Sequence, residues 1–444
     1  MVICKFLRGG AAFLKFVGKK DRKAVGKVCK EGRGCCIIKK IALLALRLFR
    51  RENGPKRNGK RKCLFLLGEI YYDNSATTKT REESAKLVYE MLTSCYGNPS
   101  SLHKKGFEAQ QRLELARSQM AQAIGCQPGE LYFTSGGTES DNIAILGAAR
   151  AQQRVGKRIV TTAIEHDAVL HTVDFLESEG WDIVRLKPDS EGKISVQQVL
   201  EAVNDQTVLV SMMAVNNEVG SILPVGAICR QLRKQHPRLL IHCDAVQAFG
   251  KETLKVGKNL DVDFLTVSGH KIYAPKGCGA LYIKKGSRFR PVTFGGGQEK
   301  NVRPGTEPIA NLCAMGLAAN LLMEEREENH KKVTTIRDAL LEGLTKLPDI
   351  CINSPADATP YILNFSVLGI RSEIMLHFLE EKGIYVSSGS ACAKGEPSHV
   401  LRAMNLTRER ADSAIRLSFG RYNTLDEVPA FLQAVQEAIG RFRR

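Results

Sequence analysis

The chain has 444 residues and a formal net charge of +18, long enough for two domains and a large buried core. The charge invites a nucleic-acid reading that its distribution excludes for most of the chain: residues 1–68 hold 20 Lys/Arg against three acids, and residues 69–444 hold 45 against 44. The working body is nearly neutral, and direct nucleic-acid binding is expected, if anywhere, only from the tail.

The basic segment 1–68 contains no Ser or Thr, which counts against a Ser-rich transit peptide. Its longest apolar run, Ile41–Leu46, is too short to span a membrane and is flanked by Lys39, Lys40 and Arg47. It has no signal-peptide layout. The segment is expected to be a disordered extension, or upstream sequence outside the working protein. The sharper alternative is a basic arm for RNA or anionic lipid, with Ile37–Phe49 as a short amphipathic helix. Of thirteen cysteines, five lie in this tail. The other eight show no CxxC pair and no metal-ligand spacing, so no metal is expected. Cys126, Cys229, Cys243, Cys278 and Cys313 stand among apolar or small residues and read as buried thiols of a reducing cytosol.

From residue 131 onward, short apolar runs alternate with helical patterns. Strands are expected at 131–133, 158–163, 182–186, 208–214, 239–243, 264–267 and 279–283. Amphipathic helices are expected at 168–178, 196–203 and 226–236. This alternation predicts an α/β fold with a mostly parallel sheet covered on both faces, whose ligands sit outside the carboxyl ends of the strands. A long helical pattern from 311 to about 347 leads into a smaller α+β section. It has strands at 360–366 and 384–387, and helices at 372–382, 397–404 and 425–441.

Chemistry-bearing residues recur where predicted strands end. Thr134-Ser135-Gly136-Gly137-Thr138-Glu139-Ser140-Asp141-Asn142 follows the apolar run 131–133 and precedes a helix expected from about Asn142, so its amides can approach a phosphate. His166 closes a strand end and is suited to ring stacking and proton transfer. Asp244 ends a strand, where a carboxylate can keep a pyridine nitrogen protonated; Gln247 stands three residues on. Ser268, His270 and Lys271 set a hydroxyl, an imidazole and a Schiff-base-capable amine within four residues. Downstream, Ser387-Ser388-Gly389-Ser390-Ala391-Cys392 places a thiol in a small-residue segment. Taken singly, each has a plainer reading: a Gly-rich helix entry, a structural histidine, an N-capping Asp, a solvated Lys.

Together these segments resemble the pyridoxal-phosphate-dependent cysteine desulfurases of the NifS/IscS type, in the class V aminotransferase group. The resemblance spans about residues 70–440. It takes in Tyr72–Thr78, Gly97–His103, Gly137–Asn142, Asn216-Asn217-Glu218, Asp244–Gln247, Ser268–Lys271, Arg303-Pro304-Gly305-Thr306, Ser387–Cys392 and Arg416–Gly420. It implies fold type I, with a large cofactor-binding domain over 84–325 and a small domain made of 69–83 and 326–444. It implies that Lys271 holds pyridoxal 5'-phosphate. Gly137, Thr138, Ser268 and His270 would hold the phosphate, with Thr306 reaching it from the other subunit of a homodimer. Asp244 would pair with the ring nitrogen, Gln247 with the phenolic oxygen, and His166 with the ring face. Asn217 would lie near cofactor and substrate, while Arg416 and Asn98 would clamp the substrate carboxylate. Either Lys271 or His166 would remove the Cα proton of L-cysteine, and Cys392 would take the sulfur as a persulfide.

Only Ala393-Lys394-Gly395-Glu396 separate Cys392 from Pro397, a shorter stretch than in housekeeping members. It is similar to desulfurases that supply sulfur for tRNA thiolation. The implied partner is a sulfur-acceptor protein, of tRNA thiolation or iron–sulfur assembly, in the cytoplasm. The alternatives are a selenocysteine lyase or other class V lyase with the same cofactor and, further off, a non-catalytic sulfur- or RNA-binding protein.

Overall fold

The computed structural model describes residues 68–388 and 398–442. The basic tail and Cys392 therefore lie outside the described residues.

The central element is a seven-stranded sheet made of β2 (Leu131–Thr134), β3 (Arg158–Thr162), β4 (Asp182–Leu186), β5 (Thr207–Met213), β6 (Leu240–Asp244), β7 (Phe264–Ser268) and β8 (Gly279–Ile283). Their order is β2-β8-β7-β6-β5-β3-β4. Only β8 runs antiparallel to its neighbours, so the sheet is mostly parallel, as the strand–helix alternation predicts. Strands β5, β6, β7 and β8 are buried along their whole length. Covered on both faces, they read as continuous apolar runs rather than alternating ones.

Helices α1 (Glu82–Thr93), α2 (Lys104–Ile124), α3 (Gly137–Gln152), α4 (Asp167–Ser178), α5 (Val196–Ala202) and α6 (Val225–Gln235) accompany this sheet. Two clusters of buried apolar side chains fill the space between helices and strands. The 37-residue helix α7 (Ile309–Thr345) is about 55 Å long at the α-helical rise. Its first half, to Leu322, belongs to the larger of these clusters. From Val333 it packs into a separate core. That second core lies under a three-stranded antiparallel sheet, β12-β10-β9, built from β9 (Ile350–Ile352), β10 (Ile362–Val367) and β12 (Ala414–Ser418). Helices α8 (Ser372–Glu380) and α11 (Glu427–Phe442) contribute to it, with the short α9 (His399–Ala403) and α10 (Arg408–Asp412) nearby in the chain.

The first described strand, β1 (Ile70–Tyr71), pairs in parallel with β11 (Ile384–Tyr385). The segment that follows it bridges from Asp73 to Ser418 and then passes the carboxyl end of β7, where Thr78 N donates to His270 O at 2.9 Å. The turn after β1 is thereby laid across the end of the large sheet, beside β12.

Candidate active site

A cavity of about 610 Å³ opens at the carboxyl ends of the parallel strands, where such sheets hold ligands. Its wall is assembled from the starts of α3 and α4, the segments after β5, β6 and β7, the turn after β1, and β12. Nine of the expected residues line it: Gly137, Thr138, His166, Asn217, Asp244, Gln247, His270, Lys271 and Arg416.

Lys271 stands in a short 3-10 turn after β7. Its ammonium donates to the carbonyls of Ser75 and Ala76, the latter at 2.9 Å. Burial, with the Arg416 charge adding to it, pulls this ammonium down to about 8, against the opposing carboxyls of Asp73 and Asp244. A useful fraction is therefore neutral near physiological pH, as an amine that attacks carbonyls requires.

Asp244 is the last residue of β6 and is buried. Its Oδ1 accepts from Val246 N at 2.9 Å. Burial first, and then the neighbouring Asp141, push its carboxyl well above the usual carboxylate range. A cationic ring nitrogen beside it relieves that cost.

His166 caps α4, with Nδ1 accepting from Ala168 N at 3.1 Å. That bond assigns the neutral ring's proton to Nε2, which then donates and carries no free lone pair. His270 is pulled down to about 4 by burial and by Lys271. It is neutral, with Nδ1 paired to Thr77 Oγ1 at 3.2 Å, and so offers the site at most one N–H donor rather than charge.

Gly137 begins α3, whose amino end meets the cavity. A Cβ on Gly137 would lie 3.0 Å from Val246 Cγ2, so glycine lets this loop close on the segment after β6. Ser268 does not line the cavity. It is buried just behind it, against Gly136 and Gly137.

Arg416, on β12, is buried. It donates to Asn217 O at 3.0 Å through Nη1 and to Asp73 Oδ1 at 2.9 Å through Nη2. Among the described residues its Nε finds no hydrogen-bond partner, and neither does the Ser75 hydroxyl. At the cavity wall, buried polar atoms of this kind can be satisfied by a ligand or by water. A phosphorylated pyridine aldehyde fits this set: a helix amino end for the phosphate, a buried acid for the ring nitrogen, and an amine of lowered pKa for the aldehyde.

The aminotransferase class-V family profile matches residues 70–431. The chain belongs to the aminotransferase class-V family. A class-V relative, the cysteine desulfurase IscS of Methanosarcina thermophila, is 42% identical over 377 residues, covering 84% of this chain and 93% of the relative. A solved NifS-like protein superposes with a TM-score of 0.80 at 37% identity, covering 84% of this chain and 99% of its own. A structure of SspA in complex with cysteine superposes with a TM-score of 0.71 at 32% identity, covering 80% and 100%.

Two expected class-V positions fall away from the cavity of a single chain. Asn98 is exposed, its Oδ1 accepting from Ser100 N at 2.9 Å, and Thr306 is exposed beyond Arg303. Ser387 and Ser398 both line the cavity, and Cys392 lies between them in sequence, outside the described residues.

Several contributors are given no role by the sequence, although Asp73, Ser75, Ala76 and Asp141 lie inside its motifs. Ser75 and Ala76 act through backbone carbonyls, which no side-chain pattern reveals. Asp73 is the counter-charge of Arg416. Asp141 and Glu165 are buried acids next to Asp244, pushed up by burial to about 7 and about 8. Asp141 Oδ1 lies 3.5 Å from His242 Nε2. Burial holds His242 down at about 4, so the imidazole is uncharged and the contact is polar rather than ionic.

Proposed function

We propose that this chain is a pyridoxal-5'-phosphate-dependent cysteine desulfurase, working as a homodimer in the cytoplasm and leaving the sulfur of L-cysteine as a persulfide on Cys392. The observation that carries the reading is the pairing, across one cavity, of Lys271 with a buried Asp244 at the end of the neighbouring strand. Lys271 would hold the cofactor, and Gly137, Thr138, Ser268 and His270 its phosphate. When bound, the cofactor supplies an electron sink that weakens the bonds to the substrate's Cα. Asp244 would keep the ring nitrogen protonated, Gln247 would serve the phenolic oxygen, and His166 would cover the ring.

Arg416 holds the substrate carboxylate, with Asn217 beside it. Asp73, already on Arg416, keeps the guanidinium aimed. Lys271 is the stronger candidate for taking the Cα proton, because both His166 nitrogens are committed, one to the cap and one to its own hydrogen. The Cys392 thiolate then takes the substrate sulfur. An S–S bond forms as the Cβ–S bond breaks, the electron pair goes to Cβ, a proton is delivered there, and the Cα proton is returned to give alanine. The sum, cysteine plus a thiol giving alanine plus a persulfide, needs no external oxidant.

The persulfide is passed to a sulfur-acceptor protein. Four residues of chain reach at most about 14 Å, so Cys392 cannot travel further than that from Ser388. An acceptor for tRNA thiolation or for iron–sulfur assembly has to come to the cavity mouth. Asn98 and Thr306, exposed in one chain, fit a role at a neighbouring subunit's site. We divide the chain into a large unit, 84–325, and a small one, 69–83 with 326–444, the boundary falling inside α7.

Intact-mass measurement before and after L-cysteine tests the reading. The wild type should gain one sulfur on Cys392, and Cys392→Ser should gain none while retaining a visible cofactor band that borohydride bleaches. Lys271→Ala should release no alanine. A persulfide found on Cys95 or Cys351 instead would sink the assignment of the nucleophile.

A further inference from the structure

Gln247 is fixed by two contacts. Its Nε2 donates to Ser75 O at 3.0 Å, and its Oε1 accepts from Lys251 Nζ at 3.0 Å. Ser75 O also receives the Lys271 ammonium. One chain of contacts therefore runs from Lys251 through Gln247 and Ser75 to Lys271.

Lys251 lies in the turn after β6, four residues beyond Gln247, and is only 7% exposed. Among the described residues, Gln247 is the one hydrogen-bond partner of its ammonium, which also stands 5.7 Å from the Tyr361 ring. The charged and titratable groups that face it are Lys271, Arg416, Glu252 and Tyr361. Burial, Lys271 and Arg416 all disfavour its charge, and only Glu252 opposes them. Glu252 is itself engaged by the Thr359 hydroxyl at 2.6 Å.

For packing alone this is a poor choice of residue. A methionine would fill similar space without the cost of burying an ammonium. What a lysine adds is direction. In its protonated form the Lys251 nitrogen has donors and no acceptor, so it then receives only the carbonyl end of a carboxamide. With Oε1 committed to Lys251, the amide nitrogen is left for Ser75 O and for the cavity.

We propose that Lys251 is a positioning residue for the reaction: by donating to Gln247 Oε1, it holds the Gln247 carboxamide with its N–H edge toward the cavity, where that edge meets the cofactor's phenolic oxygen. The inference rests on the functional reading above and adds to it a residue that touches neither cofactor nor substrate.

The test is a pH titration of the visible band of the cofactor-loaded protein, with Lys251→Met beside wild type and thermal melting of both. A donor on the phenolic oxygen stabilises its anionic form, so losing the fixed donor should raise the band's midpoint by about one pH unit. The affinity for pyridoxal 5'-phosphate should fall as well. In a Gln247→Leu background, Lys251→Met should produce no further shift. If Lys251→Met does not fold, Lys251→Leu, which likewise offers no donor, carries the same measurement and should move the midpoint the same way. An unmoved midpoint overturns the proposal, and so does a full shift that persists in the Gln247→Leu background. A wild type with no band that borohydride bleaches would sink the functional reading itself.

Discussion

Glu165 is a buried acid beside this site. Its Oε1 accepts from the Thr162 hydroxyl at 2.6 Å and from Met213 N at 3.0 Å, while its Oε2 has no partner among the described residues. Burial, with Asp244 and Asp141 adding like charge, raises it to about 8. An unfolded chain ionises this carboxyl near the ordinary glutamate value, about 4.3. Between that pH and about 8 the folded state holds a proton that the unfolded state has lost, so this group's contribution to stability falls as pH rises through the window. Glu165→Gln keeps the shape of the protonated acid and does not titrate. Its melting temperature, measured on cofactor-free protein by scanning calorimetry, should gain steadily on wild type from pH 5 to pH 9. A constant gap would show that Glu165 is already ionised at pH 5. Lys271, Asp244, His166 and Arg416 were legible in the sequence because each stands at a strand end or in a recurring motif. Glu165 was not: an acid just before a histidine looks like any polar turn residue, and only the fold buries it.

The strands that frame the site meet with no room to spare. Gly279, the first residue of β8, pairs with Ser268 at the end of β7 and lies against the loop that opens α3. A Cβ built on it would stand 2.6 Å from Gly136 Cα and 2.8 Å from Gly136 N, both backbone atoms that cannot swing aside. Gly279→Ala should therefore push the proposed phosphate loop away from β7 and destabilise the fold by about 1–3 kcal/mol. Thermal melting and a cofactor-binding titration check this. A variant that melts and binds as wild type would mean that the loop moves freely. The seven strands of the large sheet were readable to within a residue or two, because apolar runs too short for a helix, set between helical patterns, fit only buried strands. The three-residue β9 and five-residue α10 were not, since neither is long enough to show a period. The register of β12 against β10, which sets Arg416 opposite Asn364, depends on contacts distant in sequence. No local pattern encodes it.

Across the whole molecule, α7 ties two separate cores together, and the turn after β1 runs from one to the other. Cutting either connection would expose apolar surface on both sides. The basic segment has no such claim. The family match begins at residue 70, and β1 opens with Ile70 N donating to Gly383 O at 3.0 Å. The charge division points the same way: residues 69–444 are almost balanced and need no cationic tail to offset an acidic surface. A protein lacking residues 1–67 should therefore fold, melt within a few degrees of the full chain and release alanine from cysteine at a comparable rate. Any affinity of the full chain for RNA or anionic vesicles should vanish with the segment, and in the full chain it should fall steeply with added salt, as displaced counterions require. A truncated protein that is insoluble or inactive would show that the tail packs on the body. One that is active and still binds RNA would place a basic surface on residues 68–444, where the near-balance of charge argues against it.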